Sequence, residues 1–346
     1  MHKNDRFTFE KFSRADWKTR DVRARVCTYV PDEIFAPLLQ ELQARAGDIL
    51  AHQASVQMAA YRYGQHTNWS WEQSLQFVRT VWDDLDPEYG AVAGYCIDQG
   101  YFQHKDVPYG ESHGYMHPVS HVEVYTTGTI DDPVCAVHES GHLMAEQIAR
   151  HRFRSESAFN IAEIQGVFAQ EHAYHLLAMR QESRQDALSA PLHRLQYHLG
   201  TLLTVPVYLW QLQREQAARP LAQVFADWAV PPVLAQESLF EKKTMQDLHR
   251  HPFAVMVAPV LHRLYLDAEP AQRRIMCEAL YGQGPDAHLP GVLSAFNIHT
   301  ADDVKAAGRL AAAWLANDIA RCDIGARKAY VPPVRGSLNL SLNSPI

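Results

Sequence analysis

The sequence lacks an apolar run long enough to cross a bilayer. Its longest such run, Phe253–Leu261, is far short of the roughly 20 residues that a membrane-spanning helix needs. The N-terminal segment His2–Arg6 leads into polar residues, without the apolar stretch of a secretory signal. A basic excess is also missing, because 32 Lys and Arg stand against 39 Asp and Glu, for a formal net charge of -7. We therefore predict a cytoplasmic protein that binds neither membranes nor nucleic acids.

Paired cysteines are absent as well. The five cysteines are widely spaced and contain no Cys-x-x-Cys pair, which argues against both a disulfide framework and a structural cysteine–zinc site. They are Cys27, Cys96, Cys135, Cys277 and Cys322. Glycine-rich phosphate loops and dinucleotide fingerprints are not found either. Histidine, in contrast, is abundant, with 19 residues, so metal or acid–base chemistry becomes the leading question.

The pattern of apolar residues predicts a mainly α-helical protein. Apolar residues recur at spacings of three and four between Asp32 and Trp82 and again after Asp131. Between Gly90 and Thr129 the sequence turns to glycine, proline, aromatic and histidine residues, and His121–Tyr125 alternates like a strand. The later helices are predicted at 133–152, 158–182, 188–216, 220–227, 247–267, 270–281 and 301–321. A small sheet is expected beside these helices.

No stretch of the sequence has the composition of a linker between domains. With 346 residues, 47% hydrophobic and 21% charged, the chain can bury one large core, and we predict a single catalytic domain over 1–346. Its predicted parts are N-terminal helices (1–90), a central segment with the functional site (91–182), C-terminal helices (183–330) and an irregular tail (331–346).

A His-Glu-x-x-His motif lies within the helix that starts near Pro133. His138 and His142 are four residues apart, so both imidazoles project from one helix face and reach a single metal ion, with Glu139 beside them. This spacing is typical of a zinc site with its own general base. A solvent-facing helix that carries two histidines by chance is the alternative.

A catalytic zinc ion needs three protein ligands and one open position, so a third ligand should follow the motif. Glu163 is the best candidate, because a carboxylate among apolar neighbours is costly to bury unless it is paired. Its competitors are Glu146, Glu156 and Glu171. A salt bridge from Glu163 to Arg152 or Arg154 is the structural alternative.

The segment Tyr125–Asp132 followed by Ala136–His142 resembles the thimet oligopeptidase and oligoendopeptidase F family of zinc metallopeptidases, in which a Gly-Thr strand leads into a His-Glu-x-Gly-His helix. The resemblance extends to Ala162–Ile164, which is similar to the family segment that carries the third zinc ligand, and to Gly94–Cys96. It implies a helical zincin-type catalytic domain with a small sheet beside the zinc helix, and one zinc ion held by His138, His142 and Glu163.

The resemblance also implies side chains on a late helix that stabilise the oxyanion. The matching segment contains His249 and His251, our candidates for this role, but has no tyrosines. In their place stand Ala254, Met256 and Ala258. Loss of such donors typically costs hundreds-fold in rate. Tyr101, Tyr115 and Tyr125 are possible substitutes, and a histidine pair that merely caps the helix is the alternative.

Substrate contacts are predicted beside the motif helix. We assign substrate binding to Tyr125 and Gly128, since an extended peptide could add to the strand His121–Tyr125 by backbone hydrogen bonds. A purely structural strand explains the same pattern. A second metal site at His113, His117 and His121 is a weaker possibility, because Gly114 and Pro118 interrupt any helix there.

Three functions fit these residues. The first is a zinc metallopeptidase that cleaves short peptides, with Glu139 as general base for the attacking water. The second is a zinc enzyme that acts on a small non-peptide amide or a biosynthetic intermediate, and the missing tyrosines motivate it. The third is a catalytically silent binding protein. The sequence leaves the substrate and the oligomeric state open.

Overall fold

The computed structural model describes residues 32–64, 67–105, 113–115, 121–149, 157–180, 183–213, 219–230, 247–282 and 289–326. The helices in this part of the chain are α1 (Asp32–Ala44), α2 (Ala46–Ile49), α3 (Gln53–Gly64), α4 (Trp71–Leu85), α5 (Pro87–Asp98), α6 (Asp131–Ala149), α7 (Ser157–Met179), α8 (Arg184–Leu202), α9 (Thr204–Gln213), α10 (Leu221–Asp227), α11 (Asp247–Asp267), α12 (Pro270–Cys277), α13 (Leu289–Ala295) and α14 (Ala301–Ala326). A 3-10 turn at Leu50–His52 precedes α3, and a π-helical turn at Glu278–Gly282 follows α12. The strands are β1 (Phe102–Lys105), β2 (His113–Tyr115) and β3 (His121–Tyr125). The prediction of a mainly α fold with a small sheet is confirmed.

The three strands form one mixed sheet in the order β1-β3-β2. β3 runs parallel to β1, with Phe102 opposite Val122, and antiparallel to β2, with His113 opposite Glu123. Val122 and Glu123 therefore pair with a strand on both sides, and β3 is the central strand of the described sheet. The outer strands of the described sheet are β1 and β2, and the addition of a substrate strand to β3 stays a prediction.

The helix α5 was not expected, because glycine and aromatic residues from Gly90 onward favoured a sheet or loop. Asp86 accepts a hydrogen bond from the Glu88 amide at 2.8 Å, and Pro87 occupies the first turn, so the chain starts a new helix. A Cβ atom at Gly90 would lie 2.7 Å from the Asp83 backbone, so glycine lets α5 pack closely on α4. The composition change reflects tight helix packing at this point.

Most later helices lie where the pattern predicts them, with shifted ends. The helix predicted at 188–216 is two helices, α8 and α9, which meet at Leu203. The helix predicted at 270–281 is α12 followed by the π-helical turn, and α13 was not predicted. The predicted tail 331–346 and residues 1–31 lie outside the described residues. No helix in the described ranges is long and apolar enough to cross a membrane.

Helix α7 lies at the centre of the molecule. Its residues from Ile161 to Tyr174 are buried, and it packs against α6, α8 and α11. Phe168 of α7 belongs to an aromatic group in the core with Trp82 and Tyr281, whose ring centroids are 4.9 Å apart at an edge-to-face angle of 81°. The burial of α7 on all sides fixes the position of the polar residues that it carries.

Two polar clusters lie between α7 and its neighbours. His172 contacts His262 Nε2 through Nδ1 at 3.0 Å and Asp84 Oδ2 through Nε2 at 2.9 Å. Glu171 accepts hydrogen bonds from Arg194 Nε at 2.7 Å and contacts His198 Nε2 at 2.8 Å. These contacts satisfy polar groups that would be costly to bury alone.

The clusters predict that acid destabilises the fold. Burial lowers the pKa of His262 to about 3, so between about pH 6.5 and pH 3 the unfolded chain binds a proton that the native ring does not. At about 1.4 kcal/mol per pKa unit, this difference removes roughly 4–5 kcal/mol of stability over that interval. Urea unfolding followed by circular dichroism at several pH values measures it. His262→Gln should flatten the pH dependence, the exposed His299→Gln should not, and an unchanged slope in His262→Gln would contradict the assignment.

Candidate metal centre

A direct backbone contact between α6 and α7 builds the site. A Cβ atom at Gly141 would lie 2.8 Å from Gly166 Cα and 2.9 Å from Gln165 O, and a Cβ at Gly166 would lie 2.9 Å from His138 Nε2. Such distances are shorter than real Cβ contacts, so a side chain at Gly141 would clash with the α7 backbone and one at Gly166 would displace the His138 ring. The two helices approach closely enough for a side chain of α7 to reach the histidine face of α6.

The approach brings together the three residues that the sequence predicts as metal ligands. One donor atom from each of His138, His142 and Glu163 lies within 4.8 Å of the other two, and His138 Nε2 is 3.8 Å from Glu163 Oε2. Within the described ranges this is the one group of three or more such residues at that separation. Of the competing glutamates, Glu171 is bound to Arg194 and His198, whereas Glu156 lies outside the described residues and the side chain of Glu146 is not described.

The donor set fits a zinc ion. Two imidazoles and a carboxylate are the protein ligands of many catalytic zinc sites. His142 and Glu163 are 9% and 5% exposed, and the His142 Nδ1 and Glu163 Oε2 atoms are buried without a hydrogen-bond partner in the described part of the chain. A bound cation would satisfy buried polar atoms that are otherwise costly.

The charge states also suit a cation. Burial lowers the pKa of His142 to about 4, so its ring is neutral near pH 7 and keeps a lone pair for a metal. Burial alone would raise the pKa of Glu163, but the contacts with His251 and the Arg250 guanidinium hold this pKa well below its usual range. The site thus combines a neutral imidazole with an ionised carboxylate.

Two residues of α11 surround Glu163. His251 Nδ1 lies 2.9 Å from Glu163 Oε2, off the direction of a good hydrogen bond, and Arg250 Nε lies 3.5 Å from Glu163 Oε1. The structure therefore puts His251 against the predicted metal ligand, a contact that the sequence did not indicate. His249 lies in the first turn of α11, but its side chain is not among those described, so its oxyanion role stays a prediction.

The first histidine of the motif has an outer partner that sequence reasoning missed. Nδ1 of His138 lies 2.8 Å from Gln170 Oε1 on α7. Glu163, Gly166 and Gln170 are spaced three and four residues apart, so they share one face of α7. This spacing was visible in the sequence, but the partner helix was not.

A side chain of α4 also forms a hydrogen bond with the motif helix α6. Trp82 Nε1 donates to Ser140 Oγ at 2.8 Å, and Ser140 Oγ donates to Val137 O at 2.6 Å. Both variable positions of the motif thus have structural roles, Ser140 in this bond and Gly141 in the contact with α7. These contacts fix the rotation of α6 about its axis.

Asp131 and Asp132, at the start of α6, contact α8 and the preceding loop. Asp132 accepts hydrogen bonds from the Thr127 and Gly128 amides at 2.7 and 2.8 Å, and Asp131 contacts His193 on α8. Gly128 has a φ of 74°, which favours glycine. The ring of Tyr125 lies under the Lys105 ammonium at 5.8 Å. Substrate binding by Tyr125 and Gly128 stays a prediction.

A tyrosine from α8 lies beside the donor cluster. The Tyr197 ring is 6.3 Å from the His138 ring, centroid to centroid, at 63°. Burial, followed by the charges of Glu163, Cys135 and Glu139, holds the pKa of Tyr197 well above its usual value, so its hydroxyl stays protonated. Sequence reasoning missed Tyr197, because no pattern in α8 indicates that this helix packs beside the motif.

Helix α11 has no tyrosines at the positions where the resemblance implies oxyanion donors. Ala254, Met256 and Ala258 are all buried in the core, at 0%, 3% and 0% exposure. The proposed substitutes have other surroundings: Tyr101 packs edge-on against Tyr95, at 6.4 Å between centroids, and the side chain of Tyr115 is not described. Tyr197, in contrast, has a ring contact with a motif histidine.

No protein-family model matches the sequence, and a search of curated proteins finds no significant match. Solved structures do match the fold. A protein from Chlamydophila abortus that has been assigned as a peptidase aligns with 86% of this chain at a TM-score of 0.62 and 13% identity. PZ peptidase A, solved with an inhibitor, aligns with 86% at a TM-score of 0.61 and 14% identity.

A protein from Bacillus anthracis that has been assigned as an oligoendopeptidase F aligns with 86% of this chain at a TM-score of 0.57 and 13% identity. The aligned parts cover 57%, 61% and 58% of these three chains, so this chain spans somewhat more than half of their length. At these identities the likeness concerns the fold. The chain has the helical fold of oligoendopeptidase F-type peptidases.

Proposed function

We propose that this protein is a zinc-dependent hydrolase that cleaves peptide bonds in short peptides. The observation that carries the proposal is the cluster of His138, His142 and Glu163 at the contact between α6 and α7, with Glu139 on the same helix. The peptidase fold supports the same conclusion. One zinc ion per chain would be held by these three residues.

Zinc bound at these residues would lower the pKa of a water molecule and polarise a substrate carbonyl. The carboxylate of Glu139 accepts the proton from the water as its oxygen forms a bond to the carbonyl carbon. Glu139 then gives this proton to the amide nitrogen as the carbon–nitrogen bond breaks. Tyr197, whose hydroxyl stays protonated, is our candidate for a donor to the developing oxyanion.

The contacts of Glu163 define a role for α11. His251 and Arg250 keep this carboxylate ionised and limit its rotation. We propose that they position the third ligand. An oxyanion role for His251, as predicted from the sequence, would have to use Nε2, since Nδ1 faces Glu163.

A small non-peptide amide is the second candidate substrate. The buried Ala254, Met256 and Ala258 favour it, because they supply no hydroxyl groups for a peptide transition state. A binding protein without catalysis would need a metal site that is structural or empty, and the donor set argues against an empty one.

The test is incubation of the zinc-loaded protein with a diverse peptide library, with products read by mass spectrometry. We expect cleavage that stops after chelation and returns with zinc, and Tyr197→Phe should lower kcat with little change in zinc content. One zinc ion per chain without peptide cleavage would overturn the peptidase and favour a small amide. Failure to bind zinc would overturn both enzymes.

A further inference from the structure

A buried chain of hydrogen bonds leads away from the first motif histidine. His138 Nδ1 is 2.8 Å from Gln170 Oε1, Gln170 Nε2 is 3.1 Å from the Tyr174 hydroxyl, and this hydroxyl is 2.9 Å from His193 Nδ1. His193 Nε2 contacts Asp131 Oδ1. Gln170 and Tyr174 are each 3% exposed, whereas the Asp131 side chain is 49% exposed.

The chain starts and ends on the same helix. Asp131 and His138 are seven residues apart on α6, so they lie on one face, while Gln170 and Tyr174 are one turn apart on α7 and His193 belongs to α8. Each of the three inner residues, Gln170, Tyr174 and His193, contacts the residue before it and the residue after it in this chain of hydrogen bonds. The donors and acceptors in such a chain constrain one another from end to end.

The donors along the chain can be assigned from its charged end. An ionised Asp131 only accepts, so Nε2 of a neutral His193 carries the proton and Nδ1 accepts from Tyr174. The Tyr174 oxygen then accepts from the Gln170 amide NH2 group, which turns Oε1 toward His138. Because a carbonyl oxygen only accepts, His138 must carry its proton on Nδ1. Its Nε2 is then left with the lone pair that a metal needs.

We propose that Asp131, acting through His193, Tyr174 and Gln170, presets the tautomer in which His138 binds the metal. These four are positioning residues, since none of them belongs to the donor cluster. Burial acts to raise the pKa of Asp131, but the contact with His193 outweighs it and lowers this pKa, so the carboxylate is ionised. The inference rests on the proposed function only in that His138 is taken as a zinc ligand.

The tautomer of the metal-free protein provides a direct test. In protein labelled with nitrogen-15 at histidine, the nitrogen shifts distinguish Nδ1–H from Nε2–H rings, and the His138 signals are assigned by their loss in His138→Asn. Burial acts to lower the pKa of His193, but the contact with Asp131 outweighs it and raises this pKa. The spectra are therefore recorded at alkaline pH, because a protonated ring would donate from both nitrogens. We expect a single Nδ1–H tautomer in the unmodified protein.

Three variants break or repair the chain. Asp131→Asn offers an amide donor to His193, so the chain can run in either direction, and Tyr174→Phe frees the Gln170 amide to rotate. Both should give a mixture of tautomers and about tenfold weaker zinc binding, measured against a chromophoric chelator. Adding Gln170→Glu to Asp131→Asn should restore the Nδ1–H tautomer and the affinity, because a carboxylate only accepts.

Tyr89→Phe, at a buried tyrosine of α5 outside this chain, is the matched control and should change neither quantity. A single Nδ1–H tautomer in both Asp131→Asn and Tyr174→Phe would overturn the proposal, even if peptides are cleaved. An unmodified protein with mixed tautomers would overturn it as well. Because the tautomer is measured without metal or substrate, the result is independent of whether the protein is a peptidase.

Discussion

Alanine at Gly166 is expected to weaken zinc binding by at least about 100-fold. The added methyl group would lie 2.9 Å from His138 Nε2 and 3.0 Å from its Cε1, so the imidazole has to leave the position from which it faces Glu163. His138 has no other nitrogen to offer, because Nδ1 is engaged by Gln170. Zinc competition with a chelator measures the loss, and thermal unfolding shows whether the helices stay folded.

Gly200→Ala is the matched control for Gly166→Ala. A Cβ atom at Gly200 of α8 meets nothing within 4 Å, so alanine there should leave zinc binding unchanged and stabilise the helix by roughly 0.5–1 kcal/mol. If Gly166→Ala bound zinc as tightly as Gly200→Ala, His138 Nε2 would not be a ligand. Gly141→Ala should lower both zinc binding and stability, because its methyl group meets backbone atoms of α7 at 2.8–2.9 Å.

Replacement of Glu139 by glutamine is expected to lower kcat by about 10²–10⁴-fold with zinc content unchanged. Glutamine keeps the size of the side chain but cannot accept a proton from water or return it to a leaving nitrogen. Glu139 is partly exposed on α6 and belongs to no donor cluster in the described ranges, so the metal ligands should be unaffected. Single-turnover cleavage of a peptide identified in the library, together with metal analysis, measures both quantities.

Glu88→Gln controls for the loss of a negative charge, since the Glu88 side chain is 78% exposed on α5. Its kcat should equal that of the unmodified protein. Full activity in Glu139→Gln would assign the base to another residue, whereas loss of zinc in this variant would mean that Glu139 is itself a ligand.

The three candidate metal ligands could be predicted because their relations are local. His138 and His142 are one helical turn apart, and Glu163 is a carboxylate among apolar residues on the next helix. The strand His121–Tyr125 was predicted with its observed bounds, because alternation over five residues is also a local pattern. Each of these patterns lies within a single helix or strand.

The surroundings of the ligands could not be predicted because they come from other helices. Gln170 shares a helix face with Glu163, but nothing in the sequence states that this face meets His138. Tyr197 reaches the site from α8, and His251 turned out to face Glu163. The central position of β3 depends likewise on β2, whose three residues carry no strong strand pattern.

The burial of Ile161–Tyr174 in α7 has a consequence for metal uptake. Glu163 lies on a helix held on all sides by the core, and Gly141 and Gly166 fix its distance from α6. The conformational entropy of ordering the third ligand is thus lost during folding, and little remains to be lost when a cation enters. Exchange of one divalent ion for another should therefore proceed without remodelling of the helices, and differences in affinity between ions should reflect their ligand preferences.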